Sequence, residues 1–386
     1  MDFQLSQEEA LLQSTVRAFA RRELVEPAAR WDRDEAVPDQ SLVDELVELG
    51  LVGMCLPEKY GGGGQPLVMA ILAMEQLAAV SPLAAAPVFE SNVGPVRVIE
   101  LFGTEEQKQR WLPEVAKGRL QISVGMSEPE AGSALTDLKT RAEPASGGYR
   151  VNGRKCFVTG GGHSGAYMVY CRFGEARGAA GIGALVVEKG TKGFSFGKQE
   201  RFMGLRGFPS ADLVFEDCVV PKENLVVPAG GFASLMGCFD IERCGNATMA
   251  LGLAAGALEV AVEYAKQRET FGKPICDRQA IQLMAADMAV RVDAARLLVY
   301  RAAVNAGRGM PSIQEASMAK VMANETAKAV TDMAVEMLGG YGYSSQFPVE
   351  RMLRDSRGWA IAGGTLQMQK IIIAATVFQR RFNQFK

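Results

Sequence analysis

Glycine is spread unevenly along this chain of 386 residues: 19 of its 42 glycines fall between Gln121 and Gly230. A glycine in a helix interior costs roughly 0.5–1 kcal/mol relative to alanine, so a block this rich in glycine cannot fold by the same rules as its flanks. The same block collects alternating and β-branched runs, Tyr149 to Asn152, Ala166 to Cys171, Ile182 to Val187 and Ala211 to Phe215. Gly-Gly, Glu-Lys-Gly and Thr-Lys-Gly turn signals separate them, which predicts a compact β unit over residues 121–231.

The flanks read as helices. Ser6-Gln7-Glu8-Glu9 is a capping box that leads into Leu11, Leu12, Val16, Phe19 and Leu24, spaced for one helical face. Further helices fit Ser41 to Leu49, Pro66 to Ala79 and Thr104 to Ala116, so residues 1–120 form an expected N-terminal α-helical domain. After the β unit, Phe232 to Lys266 reads as a helix rich in small residues. Ile281, Met284, Met288, Val292, Ala295 and Val299 follow the three-four spacing of another. Ser312 with Glu315 caps a third that ends at Gly339-Gly340, and residues 232–386 are expected to form a C-terminal helical bundle. The length asks for two or three packing units, and no repeat of 20 to 50 residues appears.

Composition excludes several functions. Lys plus Arg number 42 against 44 for Asp plus Glu, and a net charge of -2 draws the molecule to neither nucleic acid nor an anionic membrane. His163 is the only histidine, which removes His-based triads and multi-histidine metal sites. Seven cysteines, with no pair at Cys-x-x-Cys spacing, disfavour zinc ribbons, iron-sulfur runs and thioredoxin-type motifs. The start has neither a basic n-region nor an apolar h-region, and no 18 uninterrupted apolar residues occur. A cytoplasmic protein with buried thiols and no membrane insertion is expected.

Four local signals carry chemistry, each with an ordinary structural alternative. Met126 to Ser133 places hydroxyls and backbone N–H groups on a turn punctuated by Pro and Gly, suited to a phosphate or a polar ring edge, or simply a loop. Phe157 and Thr159 lie on alternate positions of a strand end, pointing to one face, or serve as core plus turn. Arg268 to Lys273 puts a cation and an aromatic at a helix end, able to clamp a phosphate or merely to complement the helix dipole. Gly339-Gly340-Tyr341-Gly342-Tyr343 and Gly363-Gly364-Thr365 let backbone approach a ligand, although most double glycines only end helices.

Taken in order, these signals and the stretches Leu56 to Gly62, Met203-Gly204-Leu205-Arg206-Gly207 and Arg354-Asp355 make the chain, from Leu5 to Phe382, resemble the acyl-CoA dehydrogenase family of flavoproteins. The resemblance implies a mainly α fold with a central β domain: N-terminal helices, a β-barrel or sandwich in the middle and a C-terminal four-helix bundle. It implies FAD, with its pyrimidine edge on the Met126-Ser127 backbone, Ser133 near both cofactor and substrate, Phe157 on the ring face and Thr159 near N5. The adenine half then falls to Arg268, Phe271, Gln279 and the Gly339-Gly340 turn of a neighbouring chain in a homotetramer. Thr365 and Gln367 match further FAD contacts. Glu336 stands where the family usually has Gln, and Ala134 where Asp is usual.

The reaction implied removes an α-proton from an acyl-CoA while hydride leaves the β-carbon, so one ionised carboxylate must face the flavin across the substrate. Many members carry it just before the Gly-Thr of the active-site loop, where this chain has Gly363. A minority branch, including isovaleryl-CoA and long-chain dehydrogenases, carries it on the earlier helix before an Arg. Phe239-Asp240-Ile241-Glu242-Arg243 matches that branch, with Glu242 as the expected base. The ordinary alternative for Glu242 is an ion pair with Arg243 or Lys266 on the helix surface. Asp240, Arg243, Gly363 and Gly364 match substrate-side positions, and local pairing is the alternative for the first two. The expected function is α,β-dehydrogenation of a branched, alicyclic or bulky acyl-CoA in carboxylic acid catabolism, with electrons passing to an electron-transferring flavoprotein. An enoyl-CoA reductase and a redox-silent acyl-CoA or acyl-carrier binding protein are the competing readings.

Overall fold

The computed structural model describes residues 4–380 and 382; the ends of the expected terminal domains, residues 1–3, 381 and 383–386, lie outside the described residues. Seven helices come first: α1 (Gln7–Glu23), α2 (Val25–Asp34), α3 (Gln40–Glu48), α4 (Leu67–Ala78), α5 (Pro82–Asn92), α6 (Val96–Phe102) and α7 (Glu105–Ala116). The Ser6 box closes as its sequence demands, since Ser6 Oγ accepts from the Glu9 N–H and Glu9 accepts from the Ser6 N–H. Helix α5 is the one the sequence hides most, because Pro82 starts it and Pro87 lies inside it. Its Asn92 nevertheless ties down the loop between α3 and α4, accepting from the Cys55 N–H and donating to the Leu51 carbonyl.

Eight strands follow: β1 (Ile122–Gly125), β2 (Arg141–Ala145), β3 (Gly148–Thr159), β4 (Ala166–Phe173), β5 (Ile182–Glu188), β6 (Phe194–Gln199), β7 (Ser210–Pro221) and β8 (Leu225–Val227). They form one sheet in the order β6-β7-β3-β2-β4-β5-β8, with β1 also paired to β4. Strand β4 is buried on both faces, and its alternation serves two cores. Tyr167, Val169 and Cys171 meet Leu213, Phe215 and Val151 inside the curled sheet. Ala166, Met168 and Tyr170 join the core that the helices build. A continuous apolar run is what such a doubly covered strand requires.

The chain ends in helices α8 (Phe232–Gln267), α9 (Gln279–Ala306), α10 (Ile313–Leu338), α11 (Gly340–Tyr343), α12 (Val349–Trp359) and α13 (Leu366–Val377). Helix α8 has 36 residues and is buried on almost every side of its middle, between Leu235 and Ala257. Small residues make that burial possible. A Cβ on Gly252 would stand 2.6 Å from Ala78 Cβ, and one on Gly256 would stand 2.0 Å from the Ala79 carbonyl oxygen. Helices α4 and α8 therefore touch backbone to backbone, and Glu75 on α4 adds an ion pair of 2.8 Å to Arg296 on α9.

Alanine elsewhere in a helix interior gains up to about 1 kcal/mol over glycine. At Gly256 the sign is expected to reverse, because the added methyl overpacks a rigid backbone contact at a cost of about 1–3 kcal/mol. Gly256→Ala should lower the thermal unfolding midpoint; a midpoint equal to or above the parent's would show that α4 and α8 separate freely.

Candidate active site

The sequence ladder of β3 changes face in its last turn of strand. Three steps from Lys155 to Val158 face only two on β7, from Leu213 to Ala211, so one extra residue is absorbed as a bulge. Phe157 takes the strain with φ of 54°. Its ring is left 64% exposed, while Val158 beside it is buried. Thr159 is exposed on the same side, giving the aromatic and the hydroxyl the common face predicted for them. Phe202 stands 6.5 Å from Phe157 and extends the apolar wall.

The Met126-Ser127 segment is tied to the same strand. Cys156 donates its N–H to the Ser127 carbonyl at 2.9 Å, and the fully buried Lys155 donates to the Met126 carbonyl at 3.1 Å and to Glu128 at 2.7 Å. Glu128 also accepts from the backbone N–H groups of Lys139 and Thr140. Burial pushes the Glu128 carboxyl up, but the charge of Lys155 and these donors outweigh it and hold the group below its ordinary range. Ser133 is exposed at the end of this loop. Two other sequence motifs turn out to support the wall: Asp355 accepts from the Leu205 N–H at 2.5 Å, and Arg354 donates to the Met203 carbonyl at 3.1 Å.

Helix α8 packs Asn246 against the turn between α12 and α13. Asn246, one helical turn beyond Glu242, donates to the carbonyls of Trp359 and Ala362, both at 3.2 Å. Asn246 Nδ2 lies 3.6 Å from where a Cβ at Gly363 would stand, and Glu242 precedes Asn246 by one turn of the same helix. Glu242 is half-buried and has no hydrogen bond or ion pair among the described residues. Both surface partners expected of it are engaged elsewhere: Arg243 pairs with Asp240, and Lys266 with Glu263. Burial pushes the Glu242 carboxyl up to about 8, against the downward pull of Lys320 and Arg243. Glu90 on α5 faces the same region, raised well above its ordinary value by burial and by the charge of Glu242.

Asp240 and Arg243 form a buried pair with each other, so the local alternative accounts for most of their contacts. Arg243 Nε remains buried without an acceptor, leaving one donor for a ligand. Gly363 and Gly364 have φ of 69° and 87°, the left-handed region where a side chain is strained. A Cβ at Gly363 would lie 3.0 Å from Lys320 Nζ and 3.6 Å from Asn246 Nδ2. A side chain in this place would press on that ammonium, the far end of a flexible side chain.

The third group lies apart. Arg268 stands 5.9 Å from the Tyr341 ring, and a cleft of about 810 Å³ runs past Arg268, Arg278, Glu336, Gly339, Gly340 and Tyr341. Nothing lies within 4 Å of a Cβ placed at Gly339 or Gly340, so a ligand has open access to that backbone. Phe271 is 98% exposed beside it, 5.7 Å from Arg278, and Gln279 opens α9 at the same end. No residue of the Met126 to Thr159 group lines this cleft. Thr365 caps α13, accepting from the Met368 N–H at 3.4 Å, and Gln367 is exposed in its first turn.

The two surfaces fit the two halves of a flavin nucleotide. One offers a flat aromatic, a hydroxyl and a polar loop; the other offers two guanidinium groups and bare glycine backbone for a pyrophosphate. Sequence reasoning missed Lys155, Asn246 and Lys320, which support these surfaces from behind. Lys320 had a signal, because it sits among Ala316, Ala319, Ala323 and Ala327 on the apolar face of α10.

Three family models match successive parts of the chain: Acyl-CoA dehydrogenase, N-terminal domain, at residues 6–119; middle domain, at 123–218; and C-terminal domain, at 229–378. The acryloyl-CoA reductase (NADH) of Anaerotignum propionicum is 38% identical over 98% of this chain and 97% of its own length. Butyryl-CoA dehydrogenase from Megasphaera elsdenii is similar in structure with a TM-score of 0.94 at 37% identity, over 98% of this chain and 100% of that one. A chain in the structure solved for the electron transferring flavoprotein of Acidaminococcus fermentans reaches a TM-score of 0.95 at 39% identity, with 98% and 100% covered.

Removing Lys155 leaves Glu128 buried without its counter-charge, a loss of about 3–5 kcal/mol when one partner of a buried pair is deleted. Lys155→Met is expected to unfold at lower temperature and to carry less flavin per chain by absorbance, and adding Glu128→Gln should restore part of both. Parental stability and flavin content in the single variant would show that the pair does not hold the loop.

Proposed function

The chain belongs to the acyl-CoA dehydrogenase family and is an FAD-dependent oxidoreductase acting on acyl-CoA; within that class we propose that it dehydrogenates a wide acyl chain at the α,β bond with Glu242 as the base. One observation carries the reading: Glu242, one turn before the Asn246 that holds the Trp359 to Gly364 turn, has no hydrogen bond or ion pair among the described residues, although Lys320 and Arg243 both pull on its carboxyl. A buried carboxylate left unpaired costs stability, and such a cost persists where the group has chemical work. Once ionised, Glu242 accepts the α-proton of the thioester. FAD, when bound, supplies the acceptor for the β-hydride. Met126, Ser127, Ser133, Phe157 and Thr159 would hold its ring, with Thr365 and Gln367 beside it. Hydrogen-bond donors there favour the negative charge that reduction brings.

Substrate width is supported by the turn itself, where exposed Ala362 and Gly364 and half-exposed Gly363 present no side chain beyond a methyl. A branched, alicyclic or otherwise bulky acyl group fits that surface. The enoyl-CoA reductase reading remains the second one, favoured by the relative in Anaerotignum propionicum, since the same carboxyl returns a proton when the step runs backwards. Electrons are proposed to leave through an electron-transferring flavoprotein: the chain has no Gly-x-Gly-x-x-Gly turn at its start and no Cys-x-x-Cys pair to relay them. The seven cysteines are all unpaired and six are buried, in keeping with a reducing cytoplasm.

A homotetramer is proposed from the outer face of α9. Leu283, Val290, Leu297 and Val304 repeat every seven residues and are 67%, 69%, 45% and 58% exposed. An apolar stripe at heptad spacing is covered best by a helix of a second copy. The Arg268 cleft, with Phe271, Gln279 and Glu336, would then meet the adenine half of the FAD held by a neighbour. Val290→Asp is expected to split the assembly in sedimentation velocity and to release FAD in dilute solution through mass action. A variant that stays assembled would remove α9 from the interface.

The base is tested by anaerobic mixing of the holoenzyme with isobutyryl-, isovaleryl-, cyclohexanecarbonyl- and butyryl-CoA, following loss of the flavin absorption. The rate constant should rise with pH and level off above about 8, because Glu242 must be ionised and burial holds its pKa there. Glu242→Gln should keep FAD and lose at least about a hundredfold in that rate, without the pH limb. Parental reduction by the Gln variant would overturn the assignment. Reduction of the matching enoyl-CoA by NADH, faster than acyl-CoA oxidation with an artificial acceptor, would select the second reading.

A further inference from the structure

The loop over residues 200–209, between β6 and β7, carries Phe202 to its place 6.5 Å from Phe157. Three contacts hold this loop. At its start Arg201 pairs with Glu35, at the end of α2, at 2.6 Å. At its end Phe208 meets the Trp359 ring edge-on at 6.2 Å, and the Trp359 carbonyl is one that Asn246 holds. Between them the loop lies directly on α12. A Cβ on Gly204 would stand 2.4 Å from the Arg354 carbonyl carbon, and one on Gly358 would stand 2.7 Å from Leu205 Cδ1.

Leu205 has φ of 53°, in the left-handed region that a leucine enters only when its surroundings impose it. The contact that holds it there is the hydrogen bond of 2.5 Å from its N–H to Asp355 Oδ1. Asp355 is 1% exposed, and its side chain makes no other hydrogen bond and no ion pair among the described residues. Cations stand on its own helix, but they are engaged. Arg354 pairs with Asp32 at 2.6 Å and with Glu350 at 2.8 Å, and Arg351 donates to the Val80 carbonyl. Burial pushes the Asp355 carboxyl up to about 6, with the Leu205 N–H first among the groups that oppose the shift. A fully buried carboxylate thus serves one strained backbone N–H.

We propose that Asp355 is a positioning residue for the flavin: by holding Leu205 in the left-handed region it fixes the loop that sets Phe202 beside Phe157, and it joins that wall to the helix that runs into the turn over residues 359–364. The proposal rests on Phe157 and Thr159 as the face that receives the flavin ring. Phe157 is itself left-handed, with φ of 54°, so each ring of the wall has strained backbone at or near it. Glycine enters the same region without steric cost. Leu205→Gly therefore removes the need for Asp355 at this place, and an effect of Asp355 that persists beside it has another origin.

The test is a double-mutant cycle, read by FAD binding to reconstituted apoenzyme and by the visible circular dichroism of the bound flavin. Asp355→Ala should weaken FAD binding by about tenfold or more and change the dichroism, since a strained residue and its N–H both lose their support. Asp355→Asn, whose amide oxygen still accepts from Leu205, should stay within about threefold of the parent. In the Leu205→Gly background, Asp355→Ala should cost no more than about threefold beyond Leu205→Gly alone. A merely structural aspartate would weaken binding equally in both backgrounds, and such additive effects overturn the proposal, as does parental binding and dichroism in Asp355→Ala. Equal loss in the Asn and Ala variants would assign the effect to the charge and overturns it too. Should Asp355→Ala fail to fold, the double variant decides: a folded, flavin-loaded protein supports the proposal and an unfolded one overturns it. Phe157→Ala separates the two failures. If it leaves flavin affinity and dichroism unchanged, the ring face is misassigned and Asp355 falls with it. If it changes them while the cycle is additive, only the role of Asp355 is lost.

Discussion

The carbonyls of Trp359, Ala362 and Gly364 turn into the protein, and three helices supply the side chains that satisfy them: Asn246 from α8, Lys320 from α10 and Gln369 from α13. A buried carbonyl left without a donor costs about 1–3 kcal/mol, so the turn keeps this shape only while those helices stay in place. The turn also ends in two left-handed glycines and then in Thr365, which caps α13. Packing of the bundle and shape of the active-site loop are thus one problem, solved by buried polar groups rather than by the apolar core alone.

Buried charge is handled in two opposite ways in the same molecule. At Glu128 the cost of burial is offset by a lysine and two backbone N–H groups. The carboxyl stays ionised and, through Lys155, ties the Met126 loop to β3. At Glu242 relief is only partial: Arg243 pairs with Asp240 and Lys320 hydrogen-bonds the Ala362 carbonyl, so neither makes an ion pair with the carboxyl and burial outweighs their downward pull. The first arrangement positions, and the second leaves a carboxyl near the point where it exchanges a proton around neutral pH.

The same geometry serves both directions of the reaction. Removal of an α-proton and its return are the same step read in opposite senses, so one carboxyl at one distance serves a dehydrogenase and a reductase alike. What distinguishes them is the route by which electrons reach or leave the cofactor.

The sequence by itself determined the alternation of helix, β unit and helix, through glycine density, capping boxes and apolar period, because each of those acts within a few residues. It also marked Phe157 with Thr159, and Glu242 with Gly363, through motif order. The prolines of α5 and the bulge in β3 were not legible locally, since the first break a helical pattern and the second breaks an alternating one. Only the tertiary structure decided that Arg243 and Lys266 are both engaged elsewhere, leaving Glu242 unpaired. Only it placed Lys320 behind residue 363, across 43 positions of chain. Whether a charge is compensated depends on the dielectric and on every neighbour brought to it by packing, and no run of adjacent residues contains that information.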